Sequence, residues 1–298
     1  MAASDPLNLW VTEHHRDIVG LTFKVEKTLF SGRSPYQQVD VIQTAGHGRM
    51  LLNDGIVMIS ERDEFIYHEM IAHVPLFVHP DPKSVLIIGG GDGGTAREVL
   101  KHRGVERAVM VEIDELVVQA CRKYMPSVCC AFDDPRLDLK IADGVSFVAE
   151  TNEQFDVILV DSTDPIGPAQ ALFNRDFYRR VAEILSPDGI LITQAESPFY
   201  DTDVQSAMLG NQREFFERLH LYLFNTLIYP GGLWCFGFAS KGLCPVRNFD
   251  PKRVDAAGVP HRYYHAGVHT AAFQLPACIR SNFSGLLDSI PPEAQPSG

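Results

Sequence analysis

Between Val19 and Ser60 apolar and polar positions alternate in short runs, as in Val39 and Val41 or Met50 and Leu52, broken at Gly46-His47-Gly48 and Asn53-Asp54-Gly55. Period-two alternation interrupted by turn residues predicts a small antiparallel sheet, assigned to residues 1–60. From Glu61 the period changes: Ile66, Met70, Val74 and Phe77 recur at three- or four-residue steps, which predicts a helix ending near Pro80-Asp81-Pro82. Beyond Lys83 short apolar runs alternate with helical stretches, at Val85 to Ile88, Ala108 to Ile113, Leu137 to Ile141, Val157 to Val160 and Gly189 to Gln194. This βαβ rhythm predicts an α/β domain over 61–290, with a mostly parallel sheet covered by helices on both faces. The Pro-rich stretch 291–298 reads as a disordered tail. In such folds ligands bind beyond the carboxyl ends of the strands, so the residues just after each strand carry most weight.

Charge narrows the choice of ligand. Lys and Arg number 26 against 38 Asp and Glu, a formal net charge of −12, which argues against nucleic acid or an anionic membrane as partner and suits a cationic small molecule. The six cysteines form no C-x-x-C pair and read as reduced thiols, and no apolar run approaches the ~18 residues needed to span a bilayer. A cytoplasmic protein is expected. His68, Glu69 and His73 resemble a zinc-protease helix, but the second histidine is one residue too far for i, i+4 pairing, so no metal site is expected.

After the first parallel run comes Gly89-Gly90-Gly91-Asp92-Gly93-Gly94, a G-x-G-x-x-G pattern that lets a ligand approach the backbone. Taken alone it suits NAD, FAD, an adenosyl donor or a purely structural turn. Asp92 disfavours a pyrophosphate and would attract an ammonium or sulfonium. Glu112, at the end of the second run, is placed to accept from ribose hydroxyls, as in nicotinamide enzymes too. Asp143-Gly144 follows the third; Asp143 is placed either to accept from an adenine amino group or to cap a helix. The richest segment is Asp161-Ser162-Thr163-Asp164-Pro165-Ile166-Gly167-Pro168. An Asx-type turn accounts for one of its aspartates but not for both at a strand end, and with Asp92 they would make a three-carboxylate pocket.

The chain resembles the spermidine synthases from about Val19 to Pro276. The resemblance is carried by Ser34-Pro35-Tyr36-Gln37, Leu52-Asn53-Asp54-Gly55, Glu61 to Met70, Gly89 to Gly94, Asp161 to Pro168, Tyr229-Pro230-Gly231-Gly232 and His269-Thr270-Ala271-Ala272-Phe273, in that order. It implies a Rossmann-like, methyltransferase-type sheet behind the small N-terminal one. It also implies transfer of the aminopropyl group of decarboxylated S-adenosylmethionine, a co-substrate rather than a prosthetic group, to putrescine, giving spermidine and methylthioadenosine. Carried over by position, Gln37, Glu112, Asp143, Gly144 and Pro168 would contact the nucleoside, and Asp92 and Asp161 the aminopropyl ammonium. Tyr67, His68, Ser162, Thr163, Asp164 and Tyr229 would line the acceptor channel, with Asp161 as proton acceptor and Gln194 and Glu196 within reach. Tyr67 and Tyr229 also fit as packing aromatics, and His68 sits on a helix whose other face is core.

The resemblance further implies a homodimer or homotetramer assembled through the N-terminal sheets, and a gate over the substrates at Asp164 to Ala171. One departure from the family pattern is His265, where Asn is common, in the tyrosine-rich segment ahead of an expected final strand; neither it nor the Cys129-Cys130 pair receives a role. Three rivals compete: a putrescine N-methyltransferase using intact S-adenosylmethionine, a silent polyamine-binding homologue and an NAD oxidoreductase. Asp92 speaks against the first and third, and retention of Asp161, Asp164 and the nucleoside residues against the second. One methylene is worth only about 1–3 kcal/mol, so motifs do not separate putrescine from cadaverine, agmatine or spermidine as acceptor.

Overall fold

The computed structural model describes residues 8–163 and 167–290, without the side chains of 167 and 168. Five strands come first, β1 Trp10–His15, β2 Val19–Arg33, β3 Gln38–Thr44, β4 Gly48–Asn53 and β5 Ile56–Ser60, antiparallel and paired in chain order. Gly48 and Gly55 take φ of +71° and +84° in the two turns that the sequence marked. The alternation of β3 to β5 sends Ile42, Met50, Leu52 and Val57 to one apolar cluster and Val39, Val41, Leu51 and Ile59 to another, where they meet helix α1 Glu64–Val78. Strand β1 was not apparent in the sequence, since its apolar positions are few.

The second sheet has seven strands in the order β11-β12-β10-β9-β6-β7-β8, with β6 Ser84–Gly89, β7 Arg107–Glu112, β8 Leu137–Ile141, β9 Phe155–Asp161 and β10 Leu185–Gln194 parallel. Helices α2 Gly94–Leu100, α3 Glu115–Tyr124, α4 Gly144–Glu150, α5 Arg175–Ile184 and α6 Thr202–Arg213 follow these strands in turn. Period-two geometry divides the strands between two cores: Val85, Ile87, Ala108 and Met110 face α1 to α3, and Leu86, Ile88, Val109 and Val111 face α4 to α6. A hairpin of β11 Arg218–Asn225 and β12 Leu233–Ser240 adds an antiparallel edge beyond the five apolar runs predicted as strands. This is the expected Rossmann-like, methyltransferase-type arrangement. Chain order reverses between β6 and β9, which creates a crevice at their carboxyl ends.

Helices α7 Pro251–Ala257, α8 Ala266–Ala272 and α9 Ala277–Asn282 are the last among the described residues. The final strand expected after the tyrosine-rich segment is instead α8. His265 caps it, Nδ1 accepting from the N–H groups of Gly267 and Val268 at 3.1 and 3.4 Å, so a side-chain acceptor and an alanine-rich run outweigh strand propensity. Glu69 anchors the preceding segment: its buried carboxylate accepts from the N–H groups of Arg262, Tyr263 and Tyr264, each at 2.8 Å.

Candidate active site

Gly89 and Asp161 are in register across the β6–β9 switch, and Gly90 N–H donates to the Asp161 carbonyl at 2.9 Å. Gly89 has φ +83°, and a Cβ there would lie 2.1 Å from that carbonyl oxygen, so only glycine lets the loop turn so tightly over β9. The glycine loop and the Asp161 side chain thereby face one cavity of about 390 Å³, which also reaches the N-terminal sheet at Glu13, His15, Gln37 and Met58.

Asp161 is clamped through both oxygens. Tyr67 Oη donates to Oδ1 at 2.8 Å, and Thr95 Oγ1 donates to Oδ2 at 2.6 Å. Burial and then Asp92 push the Asp161 carboxyl above its ordinary range, while His68, Thr95 and Tyr67 pull it back. Asp92 Oδ1 accepts from Gly94 N–H at 2.7 Å and lies 3.2 Å from His68 Nε2, near enough to pair charges but without hydrogen-bond alignment. His68 Nδ1 is engaged by Glu64, and His73 by Glu98 and His102, so the two histidines noted in the sequence have different direct partners.

At the β7 end Glu112 is buried and accepts from Asp114 N–H at 2.8 Å. Burial, with Asp114, Asp161 and Asp92 nearby, pushes its carboxyl up to about 7. Gln37 and Ser34 hold each other and Asp114: Gln37 Nε2 and Ser34 Oγ donate to Asp114 Oδ2 at 2.9 and 2.7 Å, fixing Gln37 at the rim. Asp143 caps α4, accepting from Val145 N–H at 3.0 Å and Ser146 Oγ at 2.7 Å, and it lines the cavity together with Gly144. The capping alternative is therefore real, and carboxylate oxygens have lone pairs left for a further donor.

Away from Asp161 the cavity continues along a row of rings. Tyr67 and Tyr229 have centroids 6.4 Å apart, Tyr229 and Trp234 4.8 Å, and Trp234 and His15 5.9 Å. Burial holds the phenols of Tyr67 and Tyr229 well above their ordinary pKa, so both stay donors; Tyr229 Oη donates to the Met58 carbonyl at 2.6 Å. Both tyrosines thus combine packing with a polar role. At the far end His15 Nε2 lies 3.0 Å from Asp201, and Glu13 accepts from Val57 N–H at 3.0 Å. Gln194 also lines the cavity with Oε1 buried and unpartnered, while Glu196 stands behind it, accepting from Gln194 Nε2 at 3.0 Å.

Ser162 and Thr163 line the cavity beside Asp161; Asp164 and the side chain of Pro168 lie outside the described residues, as does part of the expected gate. Thr95, Glu13, His15 and Trp234 were missed in the sequence. Thr95 directly follows the glycine run and Trp234 lies two residues beyond Gly231-Gly232, so proximity to a motif was the available signal; Glu13 and His15 offered none.

The spermine/spermidine synthase domain matches residues 64–250, and the spermidine synthase tetramerisation domain matches residues 9–61. The chain belongs to the spermidine synthase family. Among similar relatives, the polyamine aminopropyltransferase of Thermoanaerobacter sp. (strain X514) is 45% identical over 280 residues, covering 93% of this chain and 99% of its own. That of Caldicellulosiruptor saccharolyticus is 44% identical over 277 residues, covering 92% and 98%. The crystal structure of a spermidine synthase in complex with the transition-state analogue AdoDATO superposes with a TM-score of 0.90 at 43% identity, covering 92% of this chain and 94% of that one. The spermidine synthase from Thermotoga maritima gives 0.88, also at 43% identity with the same coverage. Neither the relatives nor the structures support the N-methyltransferase alternative.

Proposed function

We propose that this protein transfers the aminopropyl group of decarboxylated S-adenosylmethionine to putrescine, with Asp161 as proton acceptor. The observation that carries the reading is the placement of Asp161, clamped by Tyr67 and Thr95, between the glycine loop and the row of aromatic rings. Glu112, Gln37, Asp143 and Gly144 suit the nucleoside; Asp92 suits the donor's ammonium; Tyr67, Tyr229 and Trp234 suit a flexible cationic chain, whose outer ammonium would approach Glu13.

The amine nitrogen attacks the aminopropyl carbon bonded to sulfur. The C–N bond forms, the C–S bond breaks, and its electron pair returns to sulfur, leaving neutral methylthioadenosine. The attacking nitrogen begins as an ammonium, and its proton goes to Asp161. Between an unperturbed alkylammonium near pKa 10.4 and a carboxylate near 3.9 this transfer is uphill by about 9 kcal/mol. The buried site narrows the gap from both sides, raising Asp161 and disfavouring a second cation beside the sulfonium. Alignment of nitrogen behind the carbon supplies much of the remainder.

The acidic chain, its six free cysteines and the absence of any membrane-spanning helix among the described residues support a cytoplasmic setting. The match of 9–61 to a tetramerisation domain supports assembly through the N-terminal sheet, and a tetramer over a dimer. The test is turnover with decarboxylated or intact S-adenosylmethionine against putrescine, cadaverine, agmatine and spermidine. A product one aminopropyl heavier from the decarboxylated donor sustains the reading and names the acceptor. A methylated product from the intact donor, or no product from folded protein that binds donor, overturns it.

A further inference from the structure

Behind His68, on the side away from the cavity, runs a series of side chains of alternating charge. Lys101 Nζ lies 2.5 Å from Glu98 Oε2, and Glu98 Oε1 accepts from Arg97 Nε at 2.8 Å. Arg97 Nη1 and Nη2 reach the two carboxylate oxygens of Glu64, at 3.1 and 2.8 Å. Glu64 Oε2 is 2.6 Å from His68 Nδ1, and His68 Nε2 is 3.2 Å from Asp92 Oδ1. The series starts at partly exposed Lys101 and ends inside the cavity; the His68 side chain is wholly buried and that of Glu64 is 7% exposed.

A buried charge without an opposite neighbour is costly, and here each member between Lys101 and Asp92 has one on each side. Tying α1 to α2 accounts for the Arg97–Glu64 pair. It does not account for the series ending on a histidine that faces Asp92 in a cavity shared with Asp161. Two carboxylates in one buried site resist joint ionisation, yet the reaction asks Asp92 to hold an ammonium while Asp161 is an anion ready for a proton.

We propose that Glu64 is a positioning residue for the reaction: it holds His68 as an imidazolium, whose fixed positive charge, set against Asp92, favours the anion of Asp161. This rests on the reading of Asp161 as proton acceptor. The charged and titratable groups around His68 are Glu64 and Tyr67 on α1, Asp92 on the glycine loop, Arg97 and behind it Glu98 on α2, and Asp161 at the end of β9. Burial opposes a charge on His68, but Asp92 and Glu64 together outweigh it and hold the imidazole near pKa 10. His68 in turn draws Asp161 down against burial and Asp92.

Glu64→Gln keeps the shape and removes the charge. With ¹⁵N-labelled histidine, the resonance that disappears in His68→Gln identifies His68. In the wild type it is expected to report imidazolium near pH 8, and in Glu64→Gln neutral imidazole. The acid limb of kcat/KM for the donor, at saturating acceptor, is expected to move up by roughly one pH unit or more, with rate recovering above it. Loss of kcat/KM by one factor at every pH, with a raised donor KM and an unmoved limb, would reduce Glu64 to a packing role and overturn the proposal. A neutral His68 in the wild type near pH 8 overturns it without any variant. If Asp161→Asn retained turnover, the base assignment would fail instead, which separates the two readings.

Discussion

Gly94 lies against the ring of His68: a Cβ at position 94 would stand 2.2 Å from both Cε1 and Nδ1 of the imidazole. No rotation of a buried ring relieves such an approach, so the first residue of α2 sets how deeply α1 seats His68. Gly94→Ala is expected to push His68 off Asp92, costing about 1–3 kcal/mol of stability from overpacking. Donor kcat/KM is expected to fall far more than folding does, by ~100-fold or more, as misplaced catalytic groups do. Thermal unfolding and steady-state kinetics on the same preparation check the split.

Tyr67→Phe and Thr95→Val each remove one hydrogen bond to ionised Asp161. A bond to a charged group is worth about 1.5–3 kcal/mol, so each is expected to lower kcat by roughly 10- to 100-fold. Both bonds favour the charged carboxylate, so their loss raises the Asp161 pKa and moves the acid limb of the pH–rate profile upward. A profile that stays in place would show that the hydroxyls do not steady the anion.

Glu112 gives the donor-free protein a pH-dependent weakness. Burial and neighbouring carboxylates raise it from 4.5 to about 7, so between those values the folded state holds a proton that the unfolded state releases. Stability from this group is full at low pH and falls as pH rises through 7, by about 3 kcal/mol in all. Glu112→Gln is expected to flatten the difference in urea midpoint between pH 5 and pH 8 while raising donor KM. An unchanged difference would remove Glu112 as its source.

Glu69→Ala leaves three N–H groups, the buried one of Tyr264 and the half-buried ones of Arg262 and Tyr263, without their acceptor. At about 1–3 kcal/mol for each unsatisfied group, a destabilisation above ~3 kcal/mol is expected, concentrated in the C-terminal segment. Hydrogen exchange would show it as early loss of protection over α8; uniform loss across the chain would point to a global role instead.

Much of the fold was legible because its signals are local. Alternation in β3 to β5, turn residues at Gly48 and Gly55, and apolar runs in β6 to β10 depend on neighbours in sequence. Strand β1 escaped because its few apolar positions leave no clear alternation, and the β11–β12 edge and helix α8 escaped because partners distant in sequence hold them: β10 for β12, and Glu69 for the approach to α8.

The sequence by itself determined the chemistry available: a glycine loop carrying Asp92, an acid after each of three strands, and an excess of negative charge suited to a cationic substrate. Only the tertiary structure decided how those groups act on one another. Thr95 on Asp161, Arg97 on Glu64 and Glu13 at the far end of the cavity reach their places across 66, 33 and 44 residues or more of chain. The reason is physical. Residue type fixes what a side chain can donate, accept or ionise, but its charge state is set by burial and by neighbours that only the folded backbone brings within a few ångströms.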